Sequence, residues 1–139
     1  MLNGPNLNML GSREPDVYGH SSYTDLVTEL TSFGLQFGLE VEIKQSNDES
    51  ELVGWLQEAF TTRNNVVVNP AAFTHYSYSI RDAIAMLTST GLQVIEVHIS
   101  NPHAREEFRH NSVISAVATG VIAGFGLDSY KLALRQLAN

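Results

Sequence analysis

The sequence predicts a doubly wound α/β domain built on a parallel sheet. Three observations carry this. Short β-branched or alternating segments recur at 39–45, 65–69, 92–99 and 118–124. Stretches with helical apolar spacing separate them. Each connection is too long for a hairpin, so successive strands run parallel, with right-handed crossovers. The 139 residues fit one domain, 1–139, and suffice to bury a core.

The elements follow in order. Residues 3–19 are rich in Asn, Gly, Pro and Ser and read as a loop of roughly 17 residues, long enough to act as a lid over about 8–19. From Ser22 the pattern turns helical through Leu26, Val27, Leu30, Phe33, Leu35 and Phe37, and Gly38 stops it. Residues 39–45 alternate like a strand. Asp48 or Ser50 caps a helix carrying Leu52, Val53, Leu56 and Phe60. Val66, Val67 and Val68 form a short buried strand. Thr74 caps a helix through Ile80, Ala83, Ile84 and Leu87. Residues 92–99 and 118–124 are further strands, and 128–137 is a closing helix. A first strand belongs before Asn3, where only Met1 and Leu2 stand. Strands usually run to ~5 residues. Either this one is very short or native residues precede Met1, and the second is the expectation.

Composition removes several classes. Apolar content of 43% and charged content of 17% are globular values. A net charge of −7 argues against nucleic acid or an anionic membrane as partner, but a small anionic substrate answers to local charge. The absence of cysteine excludes disulfides, thiolate catalysis and thiolate-bound metal. No apolar run reaches the ~20 residues that span a bilayer, so a soluble cytoplasmic protein is expected. No phosphate-binding loop, dinucleotide fingerprint or Gly-x-Ser-x-Gly elbow is present. The only lysines, Lys44 and Lys131, lie in segments remote from the strand ends, which argues against Schiff-base chemistry.

Polar residues gather at the carboxyl ends of the strands, where parallel sheets bind ligands. Asn3-Gly-Pro-Asn6 follows the first strand. Asn69-Pro70 follows the third, with His75 beyond it. Glu96, His98, Ser100 and Asn101 close the fourth. Asn-Gly and Asn-Pro also serve simply as turns. Glu96 and His98 lie two apart on one strand and so share a face. A carboxylate beside an imidazole fixes its tautomer and favours its protonated form, which makes a general acid. The same pair could be a plain ion pair, or a metal site with His103 as third ligand. Arg105 and Arg109 share a face and can clamp an anion, or pair with Glu106 and Glu107. Arg13 and Tyr18 sit together in the long loop. Ionising a phenol near neutrality, from an ordinary pKa of ~10, costs roughly 4 kcal/mol. One desolvated Arg supplies much of this, whereas in water the contact is worth ~1 kcal/mol or less. A Tyr base therefore requires the loop to close and exclude water.

Four motifs, Asn3-Gly-Pro-Asn-Leu-Asn, Arg13-Glu-Pro-x-x-Tyr-Gly, Asn69-Pro-x-x-x-Thr-His and Glu96-Val-His-Ile-Ser-Asn-x-His-Ala-Arg-Glu-Glu-Phe-Arg, together resemble type II 3-dehydroquinate dehydratase. The match runs in order from about Asn3 to Leu137. The resemblance implies a flavodoxin-like, three-layered fold with five parallel strands in the order 2-1-3-4-5. It implies a homo-oligomer, a dodecamer built as a tetramer of trimers, and no cofactor or metal. The implied reaction is the reversible dehydration of 3-dehydroquinate to 3-dehydroshikimate by anti elimination through an enolate. Tyr18 is similar to the family's base and Arg13 to the lid arginine that favours its phenolate. Asn6 matches the residue holding a water against the enolate oxygen. His98 matches the acid, with Glu96 behind it and Asn69 helping to position it. Ile99 and Ser100 match the pair binding the substrate carboxylate, and His75 and Arg109 the groups holding ring hydroxyls. Asp82 matches an aspartate reaching a neighbouring subunit's site. The sequence departs from the family pattern at Phe73, Tyr76, Tyr78 and Val113.

Overall fold

In the computed structural model, which describes residues 1–12, 14–18 and 20–139, five parallel strands form one sheet. They are β1 (Leu2–Asn3), β2 (Lys44–Gln45), β3 (Val66–Asn69), β4 (Val94–His98) and β5 (Gly120–Ala123). Their spatial order is 2-1-3-4-5, as the resemblance implies. The helices are α1 (Pro15–Tyr18), α2 (Tyr23–Gln36), α3 (Glu49–Thr62), α4 (Tyr78–Thr88) and α5 (Asp128–Leu137), with short 3₁₀ turns between several elements.

Strand alternation divides the core between the two faces of the sheet. On one face Val66, Val68 and Val94 meet Leu52 and Leu56 of α3 and Ile80, Ile84 and Leu87 of α4. On the other, Val67, Ile95, Val97 and Ile99 meet Leu26 and Leu30 of α2 and Tyr130, Ala133 and Leu134 of α5. These are the three layers. Central strands covered on both sides read as continuous apolar runs, which is why Val66, Val67 and Val68 stand together.

The ends of the helices follow local chemistry. Ser22 and Asp25 form a reciprocal capping box on α2, and Gly38 follows it at φ +71. Asp48 caps α3 by accepting from the Ser50 N–H at 2.9 Å. Three expectations need correction. The cap of α4 is Ser77, whose Oγ accepts from the Ile80 N–H at 3.0 Å; Thr74 lies in the preceding turn Ala71–His75. The strand expected over 39–45 is registered only at Lys44 and Gln45, against Leu2 and Asn3 of β1, with a further contact where the Met1 amine donates to the Glu42 carbonyl at 2.6 Å. Alternation sets the faces of a strand, but a strand also needs a neighbour to accept its backbone hydrogen bonds. The loop 3–19 is not featureless, since it holds a 3₁₀ turn (Leu7–Met9) and α1. The first strand itself is two residues long. Among the described residues no helix is long and apolar enough to cross a membrane.

Candidate active site

Three strands deliver polar side chains to one place. Beyond β1 the chain turns at Gly4, which packs so closely on the loop after β3 that a Cβ there would lie 2.5 Å from the Pro70 carbonyl oxygen. It reaches Asn6 in the left-handed region at φ 67, a conformation Asn tolerates better than most residues. Beyond β3, Asn69 and Pro70 lead into the turn carrying His75. Beyond β4, Ile99 and Ser100 lead to two further turns bearing Arg105 and Arg109. Asn6, Asn69, His75, His98, Ser100 and Arg109 line a single cavity of about 90 Å³ at the carboxyl ends of the strands. Ile99 borders it as well, and so does Arg105.

The centre of the site is a buried carboxylate held against an imidazole. Glu96 is 0% exposed, because strand alternation turns it with Val94 into the face covered by α3 and α4. A carboxylate there is tolerated only with full hydrogen bonding. His98 Nε2 donates to Glu96 Oε1 at 2.7 Å, Ser115 Oγ donates to Oε2 at 2.5 Å, and Thr74 Oγ1 donates to Oε1. Ser112 Oγ adds a longer contact to Oε1 at 3.4 Å. Burial, the largest single influence, works to raise the Glu96 carboxyl; His98, then Ser115 and Thr74, outweigh it and hold the group below its ordinary range. A carboxylate only accepts, so Nε2 of His98 carries a proton and the tautomer is set by this contact. Nδ1 has no hydrogen-bond partner among the described residues.

Other groups are oriented just as definitely. His75 Nδ1 donates to the Asn111 carbonyl at 2.7 Å. Asn69 Oδ1 accepts from the Ala71 N–H at 3.1 Å, in a turn where Ala71 sits at φ 50. Arg105 reaches Ser100 Oγ at 3.3 Å and Glu14 at 3.9 Å. Arg109 pairs with Glu106 and stacks over Phe108 at 4.6 Å. Two guanidinium groups therefore border the cavity, each also paired with a glutamate, and such planar donors can bind an anion's oxygens.

Not every expected residue meets here. Asp82 lies on α4 with its side chain 78% exposed, 3.5 Å from Arg81, and does not border the cavity. Arg13 and the Tyr18 side chain lie outside the described parts of the structure. His103 packs against the His110 ring at 5.9 Å instead of joining Glu96 and His98, and among the described residues no group of three His, Asp or Glu side chains is arranged to hold a metal. Lys44 pairs with Glu42 and Glu58, and Lys131 with Glu29 and Asp128, both away from the cavity. The hydroxyls of Thr74, Ser112 and Ser115 were not expected from the sequence. Their only signal was the need of a buried Glu96 for donors.

Comparison with known proteins agrees with this geometry. The family model described as dehydroquinase class II matches residues 1–138. The 3-dehydroquinate dehydratase of Salinispora tropica is 56% identical over 138 residues, covering 99% of this chain and 94% of that protein. That of Bacillus pumilus is 54% identical over 139 residues, covering 100% and 92%. The crystal structure of type II dehydroquinase from Propionibacterium acnes superimposes with a TM-score of 0.95 at 51% identity, covering 99% of this chain and 92% of that one. The type II dehydroquinase of Butyrivibrio crossotus gives 0.95 at 45% identity, with 99% and 94% covered. With its sheet order, its strand-end cavity and this full-length similarity, the chain belongs to the class II dehydroquinase family.

Proposed function

We propose that this chain reversibly dehydrates 3-dehydroquinate to 3-dehydroshikimate by anti elimination through an enolate, as a cytoplasmic enzyme, with Tyr18 as base and His98 as acid. The observation that carries the reading is the His98–Glu96 pair, buried at one wall of a cavity that also gathers Asn6, Asn69, His75, Ser100 and Arg109. The ketone acidifies its neighbouring C–H. Tyr18 phenolate takes that proton, and the electron pair moves onto the ketone oxygen as an enolate. Asn6 holds a water against that oxygen and stabilises the charge as it forms. The enolate then collapses and expels the β-hydroxyl, which leaves as water with a proton from His98. Glu96 keeps the imidazolium oriented and offsets its charge while the proton waits.

The remaining roles are those the family resemblance implies. Ile99 and Ser100 receive the substrate carboxylate, and His75 and Arg109 hold ring hydroxyls. Asn69 helps to position His98. Arg13 holds the Tyr18 oxygen as phenolate, and residues 8–19 close as a lid so that this contact acts in a dry site. The reaction needs neither metal nor cofactor, because a ketone already stabilises the carbanion. The whole chain, 1–139, acts as one catalytic domain. It assembles as a dodecamer, a tetramer of trimers, and the exposed Asp82 serves a neighbouring subunit's cavity.

The test is direct. Purified protein mixed with 3-dehydroquinate should generate the ultraviolet absorbance of a conjugated enone. A folded protein giving no such signal ends the reading. Light scattering checks the assembly, and a fully active monomer would remove the role of Asp82.

A further inference from the structure

The buried phenol of Tyr130 is absent from the chemistry above, yet it touches two of the strand ends that build the cavity. Tyr130 lies on α5 and is 0% exposed. Its hydroxyl donates to Asn3 Oδ1 at 2.7 Å and accepts from Asn69 Nδ2 at 2.7 Å. Asn3 ends β1 and Asn69 ends β3. Both are buried, and their strands are neighbours in the sheet.

The geometry forms a directed chain. The Ala71 N–H donates to Asn69 Oδ1, Asn69 Nδ2 donates to Tyr130, and Tyr130 donates to Asn3. A phenol has one proton, so giving it to Asn3 compels Asn69 to present its amide nitrogen. That in turn aims the Asn69 carbonyl oxygen at Ala71. One proton thus sets both amide orientations. Nδ2 of Asn3 is buried without a hydrogen-bond partner among the described residues, and the Tyr23 phenol also interacts with the Asn3 side chain. The Gly4 N–H donates to the Asn69 carbonyl at 2.8 Å and ties the two departing loops together just beyond this point. One loop leads to Asn6, the other to His75, and both residues border the cavity. Full burial pushes the Tyr130 phenol above its ordinary range, so the O–H is retained at any pH the enzyme meets.

We infer that Tyr130 is a positioning residue, whose hydroxyl sets the loops after β1 and β3 and thereby the placement of Asn6 and His75 around the substrate. This rests on the proposed dehydratase reading. Tyr130→Phe removes the hydroxyl and keeps the ring. With 3-dehydroquinate it should lose about 10- to 100-fold in kcat, while Leu134→Val on the same helix, which loosens packing without touching the chain of amides, keeps kcat within twofold. A general weakening of α5 would move both alike. In a double variant, Asn6→Ala should mask the part of the Tyr130→Phe loss that runs through Asn6, so that the pair loses less than the product of the two single losses. Fold losses that multiply would overturn the inference, as would Tyr130→Phe with unchanged kcat. Should Tyr130→Phe not fold, Asn3→Ala cuts the same link from the other side; it should show the same loss in kcat and the same masking, and wild-type turnover in it would overturn the inference. An inactive wild type would instead sink the dehydratase reading itself.

Discussion

The two ends of the sheet differ in a way that separates space from chemistry. At the amino ends of the strands lies a cavity of about 850 Å³, bordered by residues 39–42, Lys44, Trp55, Glu58, residues 63–67 and Leu137. At the carboxyl ends the cavity is about 90 Å³. The larger one carries no imidazole or phenol, and its Lys44 pairs with Glu42 and Glu58. The smaller one brings together a backed imidazole, a second imidazole, two guanidinium groups and two amides. Crossovers in a parallel sheet return the chain to the amino ends, while the loops that leave the carboxyl ends of neighbouring strands converge. Convergence of fixed polar groups, and not volume, marks the site.

Substitutions at the two ends should therefore separate activity from stability. The largest effect is expected from Tyr18→Phe, with kcat down at least about 10³-fold and substrate binding nearly unchanged, because a phenolate acts in the transition state. Retained turnover would remove Tyr18 as base. Leu56→Ala, on the buried face of α3, should cost about 3 kcal/mol of stability by the cavity it leaves. Its kcat, measured below the lowered melting point, should hold; a matching loss of kcat would erase the contrast between core and site. Glu96→Gln keeps the shape and removes the charge behind His98, and should lower kcat about 10- to 100-fold. The pH dependence sharpens this. The folded Glu96 carboxyl lies below its ordinary value of 4.5. Its contribution to stability is therefore full above that value and is lost as pH falls through the folded value. Wild type should lose stability relative to Glu96→Gln over that acid range, read as melting temperature against pH; parallel curves would contradict the pair. Smallest of all, Lys44→Met at the amino end should change stability by less than about 1 kcal/mol, as exposed pairs do, and leave kcat alone.

Much of this was legible in the chain, for reasons that differ by residue. Glu96 and His98 stood out because a buried strand has no need of either. Asn6, Asn69 and His75 stood out by falling where apolar strands end. Their convergence needed only the strand order. Thr74, Ser112 and Ser115 were invisible, since a hydroxyl in a loop has many uses and these meet Glu96 across 16 to 22 residues of sequence. Thr74 was read instead as a helix cap, a role its residue type equally fits. Tyr130 was hidden by its helix, where it follows the apolar stripe and only its oxygen departs from it. The strand at 39–45 was overextended because alternation is local, whereas pairing depends on β1, more than thirty residues away.

The division of labour between base and acid is best tested in His98→Asn, with 3-dehydroquinate in deuterated water. If Tyr18 first removes the α-proton and His98 then expels the hydroxyl, the variant should still exchange that proton for deuterium, while enone formation falls at least about 100-fold. Exchange and enone formation lost together, or enone formation unchanged, would contradict it.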